Sequence, residues 1–145
     1  MRDVVVLTPG SLAELRDALR AAGSGGRVLA GGTDLVIAMY KRGFKPGLLI
    51  DLSGVRELAP IEQRDGGLHI GAAATFARIM DDDLVKKHAP CLAEAAAQVG
   101  STQVRNVATI GGNIGTASPA GDAIPVLMAL GAVVEVMDAD GQTTA

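Results

Sequence analysis

TIGGNIGTASPAGD, Thr109 to Asp122, puts four glycines, two threonines, Asn113, Ser118 and Pro119 into one run with many polar groups and little to bury. It reads as a long irregular loop, and ordered loops of that kind often carry function. A bland use stands beside the functional one: Asp122 would simply cap the next helix, with Pro125 in its first turn. Residue types alone leave both open. A similar pattern, a hydroxyl residue beside a glycine pair, occurs earlier in RVLAGGTDLV, Arg27 to Val36. There too a tight strand-to-helix turn, with Thr33 or Asp34 as N-cap, is one reading.

Glycine is what these two stretches have in common chemically. It lets backbone N–H groups approach a ligand with no Cβ in the way. Successive N–H groups at such a bend form a concave donor site, for which a diphosphate is the natural guest. The spacing is neither the dinucleotide G-x-G-x-x-G nor a P-loop with its Lys and Ser/Thr, so both of those sites are excluded.

Working outward, Val4 to Leu7 reads as a short buried strand. Ser11-Leu12-Ala13-Glu14 is a capping box. Leu12, Leu15, Leu19 and Ala22 then recur at helical spacing, with Gly23 as the stop. A loose Gly23–Gly26 linker leads to a strand Arg27–Ala30, a helix Asp34–Arg42 ended by Gly43, and a strand Leu48–Leu52. Residues 1–53 therefore read as a β-α-β-α-β subdomain. The remainder, 54–145, reads as a second α/β subdomain cut short. Asp65-Gly66-Gly67 marks a hairpin between 60–64 and 68–71. Thr75 caps a helix carrying Phe76, Ile79 and Met80, and Pro90 opens another through Ala97. A short helix at 123–130, a strand Ala132–Met137 and a turn at 138–141 follow, and the partner strand is expected beyond Ala145.

Composition narrows the function classes. The chain has 145 residues, 48% hydrophobic and 20% charged, with a net charge of −3. That suits a globular domain rather than a disordered tail, and neither nucleic acid nor an anionic membrane is an expected partner. Aromatics are 2%, so the stacking platforms of a single-strand binder are missing. One cysteine, Cys91, excludes an intrachain disulfide, an iron–sulfur cage or a thiolate zinc site built by this chain alone. There is no signal-peptide run and no stretch near the roughly 18 apolar residues of a membrane span, so a soluble, cytoplasmic protein is expected.

LAGGTDLV followed by QVRNVATIGGNIGTASPAGD resembles the FAD-binding domain of the molybdenum hydroxylases, the family of xanthine and carbon monoxide dehydrogenases. The likeness is greatest to separate medium flavoprotein subunits, and it covers the N-terminal half of such a subunit. It implies an α+β, FAD-binding type 2 (PCMH-like) fold. By resemblance, Leu29, Ala30, Gly31, Gly32, Thr33, Asp34, Leu35 and Val36 form the first FAD segment, whose backbone holds the pyrophosphate. Thr109, Ile110, Gly111, Gly112 and Asn113 form the second, gripping from the opposite side. Asp122 would contact sugar or ribityl hydroxyls, and Val99 would line the site. The N–H groups of all four glycines are expected to act as donors, and the bare Cα atoms of Gly111 and Gly112 to leave room for pyrophosphate. Asp34, which would repel phosphate, is expected to turn away and cap its helix.

The resemblance also implies partners: an iron–sulfur small subunit with [2Fe–2S] clusters, a molybdopterin large subunit, and the missing C-terminal part of the flavoprotein. A stand-alone FAD oxidoreductase and a non-catalytic assembly module are the alternatives. Elsewhere the plain reading prevails. His69 and His88 are expected at the surface, Asp81-Asp82-Asp83 as a solvated helix end, and Cys91 as a small buried hydrophobe. Tyr40 should pack, Arg105 should form an exposed salt bridge, and Ala93–Ala97 should allow close helix packing.

Overall fold

Three apolar runs, Val5–Leu7 (β1), Gly26–Leu29 (β2) and Leu48–Asp51 (β3), pair as a parallel sheet in the order β1-β3-β2. The registers place Val6 opposite Leu49 and Val28 opposite Ile50. This is a computed structural model, and it describes residues 4–145. Parallel neighbours need a crossover, which helices α1 (Leu12–Ala22) and α2 (Leu35–Lys41) provide. The β-α-β-α-β order expected from sequence is the order observed.

Contacts divide the chain into two compact units. The first contains residues 4–29, Asp34–Glu57 and Val133–Ala145; the second contains Ala30–Thr33 and Leu58–Ala132. The sequence drew its line after residue 53. Contacts put the change at Glu57–Leu58 and assign the four residues of the first glycine bend to the second unit.

In the first unit α1 buries Leu15 and Ala18, while β3 buries Leu49 and Ile50. Ser11 caps α1, its Oγ accepting the Glu14 N–H at 3.2 Å. The expected capping box is reached differently. Glu14 Oε2 accepts from Gly10 N at 2.7 Å, and the Leu12 N–H donates to Glu57 Oε1 at 3.1 Å. That bond holds the Glu57 carboxyl below its ordinary value. Gly23–Gly25, expected as a loose linker, is a 3-10 turn. Ala132–Met137 shrinks to a two-residue strand, β6 (Val136–Met137). Its partner β7 (Thr143–Thr144) lies within the chain and not beyond it.

The second unit opens with hairpin β4 (Ile61–Arg64) and β5 (Gly67–Ile70). Asp65 and Gly66 take φ of 51° and 77°. Both central residues of a type I′ hairpin turn need positive φ, which is why Asp-Gly signals one so well. Six helices follow: α3 (Phe76–Asp81), α4 (Asp83–His88), α5 (Pro90–Gln98), α6 (Thr102–Val107), α7 (Ile110–Thr116) and α8 (Ala123–Ala129). Phe76, Ile79, Val85, Leu92 and Ala96 are fully buried in one cluster with Val99, Ile110 and Ala123. Each large apolar side chain so buried contributes roughly 1.5–3 kcal/mol, against 0–1 kcal/mol for an exposed ion pair such as Lys86–Asp81. The cluster, not the ion pairs, holds the unit together.

Sequence missed α6 and took α7 for loop. Three glycines argue against a helix locally, but Thr109 caps it and tertiary hydrogen bonds hold its first turn. Cys91 is exposed, not buried, because α5 turns Leu92, Ala93 and Ala96 inward and leaves position 91 on the opposite side. Tyr40 is 89% exposed and does not pack. Asp82 caps α4 through Leu84 N and Val85 N, His88 is exposed, and His69 is half-buried in β5.

Candidate functional site: two glycine segments in one unit

The two glycine stretches meet in the second unit. Gly31 lies directly against the Val107 carbonyl and Ala108, and Gly112 comes close to Ala30. Between β2 and α2 the chain makes its bend with Gly32 at φ 72°, a conformation that favours glycine. Nothing among the described residues accepts a hydrogen bond from the N–H of Gly31, Gly32 or Thr33. Three neighbouring donors on half-buried residues are therefore unused within the protein.

The second stretch behaves otherwise, which corrects the expectation drawn from its glycines. The Gly111 N–H donates to Ala72 O at 2.9 Å, and the Gly112 N–H to Thr109 Oγ1 at 3.1 Å. Ile110 N reaches Ala74 O at 3.0 Å, and Asn113 N reaches Thr109 O at 3.0 Å. All four donors are used within the protein, because here the chain enters a capped helix whose first N–H groups find internal acceptors.

An acceptor is what this stretch offers instead. Asn113 Oδ1 is buried and has no hydrogen-bond partner. Leaving such an atom unpaired costs about 1–3 kcal/mol, so it calls for a donor. After α7, Ala117 reverses the chain in a left-handed conformation, and Ser118 Oγ accepts from Ala120 N at 3.3 Å. Asp122 then starts α8, exposed, with no side-chain cap bond. The bland reading of Asp122 as a cap fails, and its carboxylate is available to hydroxyl donors.

Other expected site residues sit as follows. Val99 is buried in the core cluster with Ile110. Leu29 ends β2 opposite Asp51, and Leu35 and Val36 open α2, all in the first unit. Asp34 takes the N-cap position of α2 but makes no side-chain cap bond, contrary to expectation. Arg105 forms neither a salt bridge nor a free phosphate hook: it donates to the carbonyls of Val99 and Gly100 and to Thr102 Oγ1. Among the described residues no group of three His, Cys, Asp or Glu could hold a metal, and no helix is long and apolar enough to cross a membrane. Sequence reasoning missed Ala72, Ala74 and Val107, which act through backbone carbonyls and so carry no side-chain signal.

The donor and acceptor set suits a ligand that is anionic at one place and rich in hydroxyls at another. A flavin dinucleotide has that character, with its diphosphate and its ribityl and ribose hydroxyls. Comparison with known proteins agrees. The nicotinate dehydrogenase FAD-subunit of Eubacterium barkeri is 44% identical over 107 residues, covering 74% of this chain and 36% of that protein. Quinoline 2-oxidoreductase from Pseudomonas putida 86 superposes with a TM-score of 0.90 and 31% identity, over 98% of this chain and 50% of that one. Reconstituted CO dehydrogenase from Oligotropha carboxidovorans gives 0.92 and 28%, over 99% and 50%. The chain thus spans about half, or less, of the proteins it matches. Residues 2–145 match the family described as the FAD binding domain in molybdopterin dehydrogenase, and the chain belongs to that family.

Proposed function

We propose that this chain is the flavin-holding part of an electron-transfer subunit of a molybdenum hydroxylase. It would take electrons from the [2Fe–2S] clusters of an iron–sulfur partner and pass them to NAD or another acceptor, while a further partner carries the molybdopterin. Both segments drawn from sequence, 1–53 and 54–145, serve FAD in this reading, as do Leu29–Val36, Val99, Thr109–Asn113 and Asp122. The observation that supports it is the presence, in one compact unit, of a free N–H row at Gly31–Thr33 and a buried, unpartnered acceptor at Asn113 Oδ1.

FAD, when bound, supplies the redox chemistry, and the protein supplies binding and orientation. The N–H groups of Gly31, Gly32 and Thr33 hold phosphoryl oxygens. Asn113 Oδ1 and the Asp122 carboxylate accept from hydroxyls. Thr109 occupies the Gly112 N–H and so fixes the start of α7, which carries Asn113. No side chain of this chain needs to act as a general base.

The test is FAD titration of the full-length chain, followed through flavin fluorescence and visible absorption. The expected result is quenching at a stoichiometry of one, with no turnover of organic substrates in the absence of partner subunits. Unchanged flavin fluorescence throughout the titration would defeat the proposal. Turnover of an organic substrate by the chain alone would replace it with a stand-alone oxidoreductase.

A further inference from the structure

Three backbone segments of the second unit meet with almost no side chain between them. A Cβ added to Gly31 would fall on the Val107 carbonyl oxygen, 2.6 Å from the carbonyl carbon and 2.9 Å from Ala108 Cα. The chain that follows is tied to residues 72–76. Ile110 N bonds Ala74 O, Gly111 N bonds Ala72 O, Phe76 N bonds Ala108 O at 3.0 Å, and Thr75 bridges Thr109. A Cβ on Gly111 would stand 2.7 Å from both the oxygen and the Cβ of Ala72. Backbone atoms tied into hydrogen bonds cannot give way as the tip of a flexible side chain can.

The neighbouring glycines differ. A Cβ on Gly112 would meet only Thr109 Oγ1 at 3.0 Å and Ala30 Cβ at 3.9 Å, and one on Gly115 would meet nothing within 4 Å. The need for a bare Cα is therefore stringent at 31 and 111, milder at 112, where Thr109 Oγ1 alone must give by a few tenths of an ångström, and absent at 115.

The geometry points to Gly31 and Gly111 as positioning residues: the neighbouring protein backbone, not the cofactor, occupies the space beside them. Together with Ala72 they set the spacing between the N–H row of Gly31–Thr33 and the Asn113 Oδ1 acceptor. This rests on the FAD reading above and adds to it a rank order among glycines that sequence treats alike.

Gly111→Ala, Gly112→Ala and Gly115→Ala are made in the full-length chain, with FAD affinity measured by fluorescence and visible circular dichroism recorded on the bound flavin. Gly111→Ala is expected to weaken FAD by about tenfold or more, since overpacking forces backbone shifts. It should also change the flavin dichroism, a signature that lost stability alone leaves untouched. Gly112→Ala should cost much less, and Gly115→Ala nothing. Should Gly111→Ala not fold, Ala72→Val presses on the same contact from its other side and should reproduce the loss. Equal losses at 111 and 112, or a larger one at 112, overturn the inference while leaving the FAD reading intact. Failure of the wild-type chain to bind FAD overturns the reading itself.

Discussion

Replacing Thr109 with Val keeps the volume of a side chain that is only 7% exposed and removes its hydroxyl. Two groups lose by this. Helix α7 loses its N-cap, and the Gly112 N–H, now bonded to Thr109 Oγ1 at 3.1 Å, is left without an acceptor in a half-buried place. Removing an N-cap costs about 0.5–2 kcal/mol, and an orphaned buried donor about 1–3 kcal/mol. These describe one bond from its two ends, so they are not summed, and a loss of about 1.5 kcal/mol is expected. For a unit of this size that lowers the thermal midpoint by about 6–12 °C. Urea unfolding gives the free energy, and amide hydrogen exchange gives the site, with the Gly112 amide losing protection more than those of α5. Thr109→Ser keeps the oxygen and should recover most of the loss. If Thr109→Val unfolds at the wild-type urea concentration with Gly112 still protected, the cap does not hold α7.

Asp122→Ala should leave stability within about 0.5 kcal/mol, since the carboxylate makes no cap bond, while weakening FAD by about tenfold through loss of a charged acceptor; urea unfolding beside FAD titration checks both. Glu57 has its carboxyl lowered from 4.5, first by the Leu12 N–H and then by its own. A depressed carboxyl stabilises above its unfolded pKa and loses that contribution as pH falls through the folded one. Glu57→Gln should therefore flatten the acid side of the stability profile below about pH 4.5 and change its shape little above pH 6, as urea midpoints across pH will show. Gly66→Ala meets no steric neighbour but must hold φ 77°, so it should cost about 1 kcal/mol by urea unfolding.

What sequence made legible was local. Ser11, Thr75 and Pro90 marked helix starts through chemistry confined to one turn, and Asp65-Gly66 marked its hairpin through two backbone angles. The second glycine stretch was legible as something unusual but not as a helix. Its first turn depends on the carbonyls of Ala72 and Ala74, far away in sequence, which outweigh the poor propensity of glycine. For the same reason the bare Cα of Gly111 was misread: a glycine bare for a ligand and a glycine bare for a neighbouring carbonyl look identical in one dimension. Cys91 was misjudged because an Ala-rich helix gives weak notice of which face turns inward. The FAD family was legible because its two motifs occur in order, which no single stretch establishes.

The sheet order β1-β3-β2 has a consequence for synthesis. The strand made last stands in the middle, so during translation neither Val5–Leu7 nor Gly26–Leu29 has anything to zip onto until Leu48–Asp51 leaves the ribosome. Val5 waits for Leu48 across the whole intervening chain, a non-local pairing of the slow kind. Early ribbons of three and four residues are too short to template aggregation well, and that brevity guards the nascent chain while it waits.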